Sequence, residues 1–220
     1  MHDRARLGRA FFAAGAARVA ERLLGCRLVR VLDDGTRLAG TIVEAEAYLG
    51  VRDRAAHSFG GRRTARNEAM YAEAGTAYVY FTYGMHHCFN VVCGRRGEPV
   101  AVLVRALEPT EGLEVMRRLR LGPGGGKRAK RGDTALCSGP AKLCAALAID
   151  RSLNGIDLTR DGRLFLERGR GIPAERIVRT ARIGVAYAGA WARRKLRWVD
   201  AASEHVSVRA GRRSAERRRP

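Results

Sequence analysis

The sequence predicts one domain that mixes helices with β-strands, a mixed α/β fold. Three observations predict it. Segments of helical period stand among runs in which apolar and polar residues alternate. No internal repeat and no composition break divides the 220 residues into two units. A chain of this length buries roughly 70% of the surface its unfolded form exposes, enough for one substantial core. The domain is expected over residues 1–210, with a basic tail over 211–220.

The elements follow in order. Residues 9–24 form an amphipathic stretch interrupted by charge, which predicts a helix rather than a signal peptide or a membrane span. The runs CRLVRVL and RLAGTIVEAEAY flank Asp33, Asp34 and Gly35, so a β-hairpin is expected there. SFGGRRTARN, residues 58–67, reads as a loop rich in glycine and arginine. Aromatic and β-branched residues over 76–92 predict strands, and PVAVLVRAL, residues 99–107, predicts a strand buried on both faces. A helix is expected over 110–120, with Glu111 and Glu114 at its start and Arg117, Arg118 and Arg120 at its end, as the helix dipole favours. LGPGGGKRAKRG, residues 121–132, has no periodicity and predicts a mobile basic loop. SGPAKLCAALAID predicts a helix to about residue 149, with Ser138 as N-cap and Pro140 in the first turn. Short strands and turns follow, and GRRSAERRRP is too charged to pack, so disorder is expected.

Composition narrows the partners. Lys and Arg number 42 against 22 Asp and Glu, giving a formal charge of +20, and only Lys127, Lys130, Lys142 and Lys195 are lysines. An anionic partner is expected. The five cysteines (Cys26, Cys88, Cys93, Cys137, Cys144) are odd in number and form no C-x2-C pair, which speaks against a disulfide framework and against a zinc site. A cytoplasmic protein is expected, nucleoid-associated if bacterial. His86 and His87 adjoin without a spaced third ligand, so a surface role is favoured over metal binding.

Side chains alternate along a strand, so Glu44, Glu46 and Tyr48 share one face and Val43, Ala45 and Ala47 the other. Two carboxylates this close repel when both are ionised, and partial burial would raise one pKa into the range of a general base. A solvated strand face bearing two acids remains the alternative. The same parity separates Tyr78 and Tyr80 from Phe81 and Tyr83, if the strand continues to Gly84. One tyrosine could then line a pocket while another projects toward a partner; an aromatic core strand is the alternative.

TIVEAEAYLG, AAHSFGGRRTARN, GTAYVYFTYGMHHCFNVV, VLVRALEPTEGLEVMRRLR and LCSGPAKLCAALAID resemble, in this order, segments of the alkyladenine (3-methyladenine) DNA glycosylase family of mammalian type. The likeness runs from about residue 23 to 198. It implies a single domain around a curved antiparallel sheet, with surrounding helices and a protruding β-hairpin that enters the DNA minor groove. It also implies a monofunctional DNA N-glycosylase for base excision repair. Such an enzyme flips an alkylated or deaminated purine from duplex DNA and hydrolyses its N-glycosidic bond to leave an abasic site. No metal and no cofactor are implied, and a monomer without membrane attachment is expected.

Family roles fall on matching residues. Glu46 matches the general base that activates water, with Glu44 as a supporting residue, and Arg105 belongs to the catalytic region. An arginine after the apolar run PVAVLV needs an acid or phosphate partner in any case. Tyr48, His57 and Tyr80 match the pocket that stacks the extruded base, where a cationic ring gains from π-faces. Asn90 matches the asparagine that opposes the amino group of guanine. Tyr83 matches the residue that intercalates into the vacated stack. Arg62, Thr64 and Arg66 match phosphate contacts. Lys142 is the only lysine near these blocks, so a Schiff-base lyase step lacks an evident nucleophile. His86 and His87 depart from the bulkier residues of many relatives, and Phe89 precedes the asparagine, which leaves the substrate range open. Two other readings compete: a catalytically inert basic binding module of similar fold, and an RNA-associated protein.

Overall fold

The computed structural model describes residues 5–82, 84–121 and 132–209. Its frame is one antiparallel sheet. β1 (Arg27–Val31) and β2 (Arg37–Tyr48) form the hairpin expected around Gly35. The turn closes through Gly35 N–H to Leu32 O at 2.9 Å, with Gly35 at φ 81°, and Asp34 accepts from Thr36 N at 2.8 Å. β3 (Ala77–Thr82) and β4 (His86–Cys93) make a second hairpin, and Tyr83, at its tip, lies outside the described residues. β5 (Val100–Glu111), β6 (Leu164–Glu167), β7 (Ile177–Thr180) and β8 (Arg197–Asp200) complete the sheet.

The order is β3-β4-β5-β2-β1-β6, with β8 also on β2 and β7 on β8. β2 is the hub. One edge pairs with β5 along most of its length; the other pairs with β1 over residues 37–41 and with β8 over residues 44–46. Register shifts near Glu44 leave Val43 and Arg105 without opposite residues in the β2–β5 ladder. Bulges of this kind bend a strand and sharpen its twist. The sheet accordingly curls into a half-barrel.

Its two faces differ in content. Ala45 and Ala47 of β2, Val79 of β3, Phe89 and Val91 of β4, and Val102 and Val104 of β5 point into the main core. The helices α1 (Arg9–Phe12), α2 (Ala16–Leu23), α3 (Leu113–Leu121) and α4 (Pro140–Ala146) supply Phe12, Val19, Leu23, Met116 and Leu143 to that same core. Residues of opposite parity, including Glu44, Glu46, Tyr78, Asn90 and Arg105, occupy the other face.

Several expectations change. The helix over 9–24 is broken by Gly15: Gly94 N–H takes the carbonyls of Phe12 and Ala14, which ends α1 before α2 begins. β5 extends to Glu111, so α3 starts at Leu113 rather than near 110. α4 has Gly139 as its N-cap, not Ser138, at a φ of 146° that only glycine adopts readily, while Pro140 is at the first turn as expected. Ser138 instead bridges to Ala106 of β5 and accepts from Lys142 Nζ at 3.2 Å. α4 ends at Ala146, where Ala148 turns to φ 48° and Ile149 N–H closes onto Cys144 O at 2.8 Å. All five cysteines are buried free thiols. The loop expected over 121–132 lies almost wholly outside the described residues, as does the tail over 211–220.

Candidate active site

One line across the sheet organises the site. Tyr78 of β3 is opposite Asn90 of β4, Asn90 opposite Leu103 of β5, Leu103 opposite Glu46 of β2, and Glu46 opposite Arg197 of β8. Opposite residues project from the same face of a sheet. Five strands therefore deliver an aromatic, an amide, an apolar residue, an acid and a base to one surface.

Glu44 and Glu46 are both fully buried, which removes the reading of a solvated strand face. Arg105 resolves their repulsion by reaching both: Nε donates to Glu44 Oε1 at 2.8 Å, and Nη1 lies 3.3 Å from Glu46 Oε1. Glu44 takes further bonds from Arg197 Nε at 2.7 Å, Ser207 N at 2.6 Å and Ser207 Oγ at 2.8 Å. Burial alone would push the Glu44 carboxyl up; the guanidiniums of Arg105 and Arg197 outweigh it and hold the group below its ordinary value. Glu44 is thus an ionised strut rather than a second titrating acid. Arg105 loses some basicity to burial but gains more from Glu46 and Glu44, so its pKa is raised.

Glu46 accepts from Tyr48 OH through Oε2 at 2.9 Å and from the Ile183 backbone N–H through Oε1 at 2.8 Å. Burial, then the Glu46 charge, push the Tyr48 phenol well up, so it remains a donor. Tyr48, Arg105 and Ile183 all line a cavity of about 210 Å³. Two hydrogen-bond donors to Glu46 and its ion-pair partner therefore form part of the cavity wall.

His57, Tyr80 and Asn90 line the same cavity. His57 meets Tyr80 edge to face, with centroids 4.6 Å apart, and its Nδ1 is 2.8 Å from Tyr78 OH. Burial, reinforced by Arg66 and Arg62, pushes the imidazole down to about 4, so His57 is neutral near pH 7. Asn90 is buried, and its Nδ2 donates to Tyr78 O at 3.1 Å, fixing the amide plane. Six of the sequence-predicted residues thus converge: Glu46, Arg105, Tyr48, His57, Tyr80 and Asn90.

Arg62, Thr64 and Arg66 line a neighbouring groove of about 510 Å³ together with Arg54, Phe59 and Asn67. His57 and Tyr187 belong to both walls and so join groove to cavity. Asn67 shapes the loop, accepting from Thr64 N at 2.7 Å and Thr64 Oγ1 at 3.1 Å, and Arg66 Nη2 donates to Phe81 O at 3.0 Å.

Sequence reasoning missed Tyr78, Asp53, Arg182, Ile183, Arg197 and Ser207. Tyr78 had a signal, since its parity with Tyr80 places both on one face. Arg182 and Arg197 were hidden among many arginines, and the Ile183 contribution is a backbone N–H that no side chain advertises.

Comparison with known proteins supplies the context. A family profile described as "Methylpurine-DNA glycosylase (MPG)" matches residues 10–204. The chain is 51% identical over 206 residues to the DNA-3-methyladenine glycosylase of Homo sapiens, covering 92% of this chain and 68% of the human one. It is 50% identical over 208 residues to the enzyme of the same name from Mus musculus, covering 92% and 61%. A provisionally named 3-methyladenine DNA glycosylase of Desulfitobacterium hafniense (strain Y51) is 43% identical over 204 residues, covering 93% of this chain and 99% of its own.

Proposed function

The chain belongs to the methylpurine-DNA glycosylase family, DNA glycosylases of alkylation repair that hydrolyse N-glycosyl bonds, and we propose that the cavity beside Glu46 is where this chain does so. The observation that carries the reading is the convergence of the Tyr48, His57 and Tyr80 rings and the Asn90 amide on a cavity backed by a fully buried carboxylate. Duplex DNA presents a damaged purine inside the stack, beyond reach of any buried group, so the nucleotide is rotated out into the cavity. Tyr48, His57 and Tyr80 then stack against it, and alkylated, cationic rings gain most from the π-faces. Alkylated purines and deaminated purines are the proposed substrates.

Glu46 is the proposed base. A carboxylate offers roughly four acceptor sites, and two hydrogen-bond donors and one guanidinium already address this one, which leaves capacity for a water. That water gives a proton to Glu46 as its oxygen bonds to C1′ of the sugar. The C1′–N bond breaks, and its electron pair leaves with the purine. Arg105, whose Nη1 lies 3.3 Å from Glu46 Oε1, offers its positive charge to the anionic sugar-phosphate. Asn90 selects against the guanine amino group. Arg62, Thr64 and Arg66 hold phosphates in the adjoining groove, and Tyr83 fills the vacated stack. The product is an abasic site, and no covalent lysine intermediate is involved.

The test is single-turnover base release from duplex oligonucleotides carrying hypoxanthine or an alkylated purine, read by strand scission at the abasic site. Glu46→Gln is expected to lose about 10²–10⁴-fold in rate while binding lesion DNA as tightly as the parent. Binding without release by the parent chain, from every lesion, would leave an inert DNA-binding module instead.

A further inference from the structure

A buried ion pair outside the cavity connects three of the segments that supply the site. Arg182 and Asp53 are bound bidentately, Nη1 to Oδ2 at 2.5 Å and Nη2 to Oδ1 at 2.8 Å, and neither side chain reaches solvent. Arg182 Nη1 also donates to Ala47 O at 2.9 Å, and its Cζ lies 4.7 Å from the centre of the Tyr48 ring. Asp53 uses its remaining capacity on backbone, accepting Leu49 N and Ala55 N at 3.0 Å each.

These bonds grip three stretches of chain at once. Ala47 and Leu49 flank Tyr48, so the strand end that carries Tyr48 is fixed from both sides. Ala55 stands two residues before His57. Arg182 adjoins Ile183, whose N–H bonds to Glu46. Arg182 itself is absent from the cavity wall and faces the Tyr48 ring from behind it.

A buried pair costs desolvation that its own attraction offsets only partly, so its usefulness is geometric before it is energetic. Cutting Arg182 away would free both the Tyr48 ring and the Ile183 amide, two of the three groups that hold Glu46. We propose that Arg182, clamped by Asp53, is a positioning residue for the hydrolytic reaction: it sets the Tyr48 hydroxyl and the Ile183 N–H against Glu46. The inference rests on Glu46 being the base.

Lysine cannot reproduce the arrangement, because an ammonium lacks the planar fork that meets a carboxylate, a carbonyl and a ring together. Arg182→Lys and Asp53→Asn are therefore compared with the parent and with Glu46→Gln in single-turnover base release, lesion-DNA affinity and thermal melting. Both clamp variants are expected to release base at least 10-fold more slowly at saturating enzyme, with lesion affinity changed less than 3-fold and melting still above the assay temperature. The double variant is expected to be no slower than the worse single one, since both break the same clamp. Parent-like release by both variants, beside an inactive Glu46→Gln, would overturn the clamp alone. Full activity of Glu46→Gln would overturn the reading of the base itself. Unfolding of both clamp variants at the assay temperature would overturn the positioning role, because the pair would then hold the domain and not the site.

Discussion

Glu44 shows how far a neighbour can alter what a residue does. Its spacing from Glu46 suggested two acids in competition, yet Arg105, Arg197 and Ser207 consume it entirely. Glu44→Gln would leave two buried guanidiniums sharing a neutral amide, at a cost of about 3–5 kcal/mol. Thermal melting is expected to fall by on the order of 10 °C, and base release at a temperature where the variant is folded should fall as well, because Arg105 loses its anchor. His57 gives a prediction in pH. Its folded value of about 4 is below the unfolded one near 6.5, so the unfolded chain takes up a proton before the folded chain does. This group's effect is therefore absent above pH 6.5 and destabilising as pH falls from 6.5 toward 4. A histidine-resolved NMR titration of the folded protein should place the His57 midpoint near 4; a midpoint at 6.5 would show that burial does not govern the ring.

At the scale of elements, the strand ends and helix caps decide where side chains finish. The turn after α4 forces Ala148 to φ 48°, a left-handed conformation that costs a residue with a Cβ about 1 kcal/mol. Ala148→Gly is expected to raise the unfolding free energy by up to about 1 kcal/mol, read from the denaturant midpoint at unchanged m-value. The bulges between β2 and β5 matter more for the site. They leave Arg105 out of register, at the point where its side chain reaches Glu44 and Glu46 from one backbone position. The register row from Tyr78 to Arg197 would be reshuffled by a one-residue slip of any strand, since every side chain on that strand would change faces.

Over the whole molecule, charge and shape divide the work. Many carboxylates are spent in ion pairs inside the fold, as with Arg27–Glu167 and Arg37–Glu167, while the whole sequence carries a formal surplus of +20. Among the described residues no salt bridge joins Arg62 or Arg66 to a carboxylate, whereas Arg63 between them pairs with Glu68. For duplex DNA, log K is expected to fall by about 0.9 per neutralised phosphate for each unit of log salt. Replacing Arg62 and Arg66 by Ala together should lower the magnitude of that slope by about 1.8 if each meets one phosphate, while the preference for lesion over undamaged DNA stays the same. Unchanged salt dependence would remove both from the phosphate path.

By itself the sequence determined the chemistry available and much of the local structure. Alternation around Gly35 specified the first hairpin, parity put Glu44, Glu46 and Tyr48 on one face, and the ordered blocks pointed to the family that the comparisons show. These are short-range facts, set by backbone geometry and side-chain type. The tertiary structure decided the rest because it depends on contacts between distant residues. That Arg105 would join two acids 59 and 61 positions away, that the Ile183 amide would cap Glu46 across 137, and that Arg182 rather than another arginine would be buried against Asp53 are matters of strand register and burial. Arginines look alike in sequence; only the folded sheet assigns them different partners.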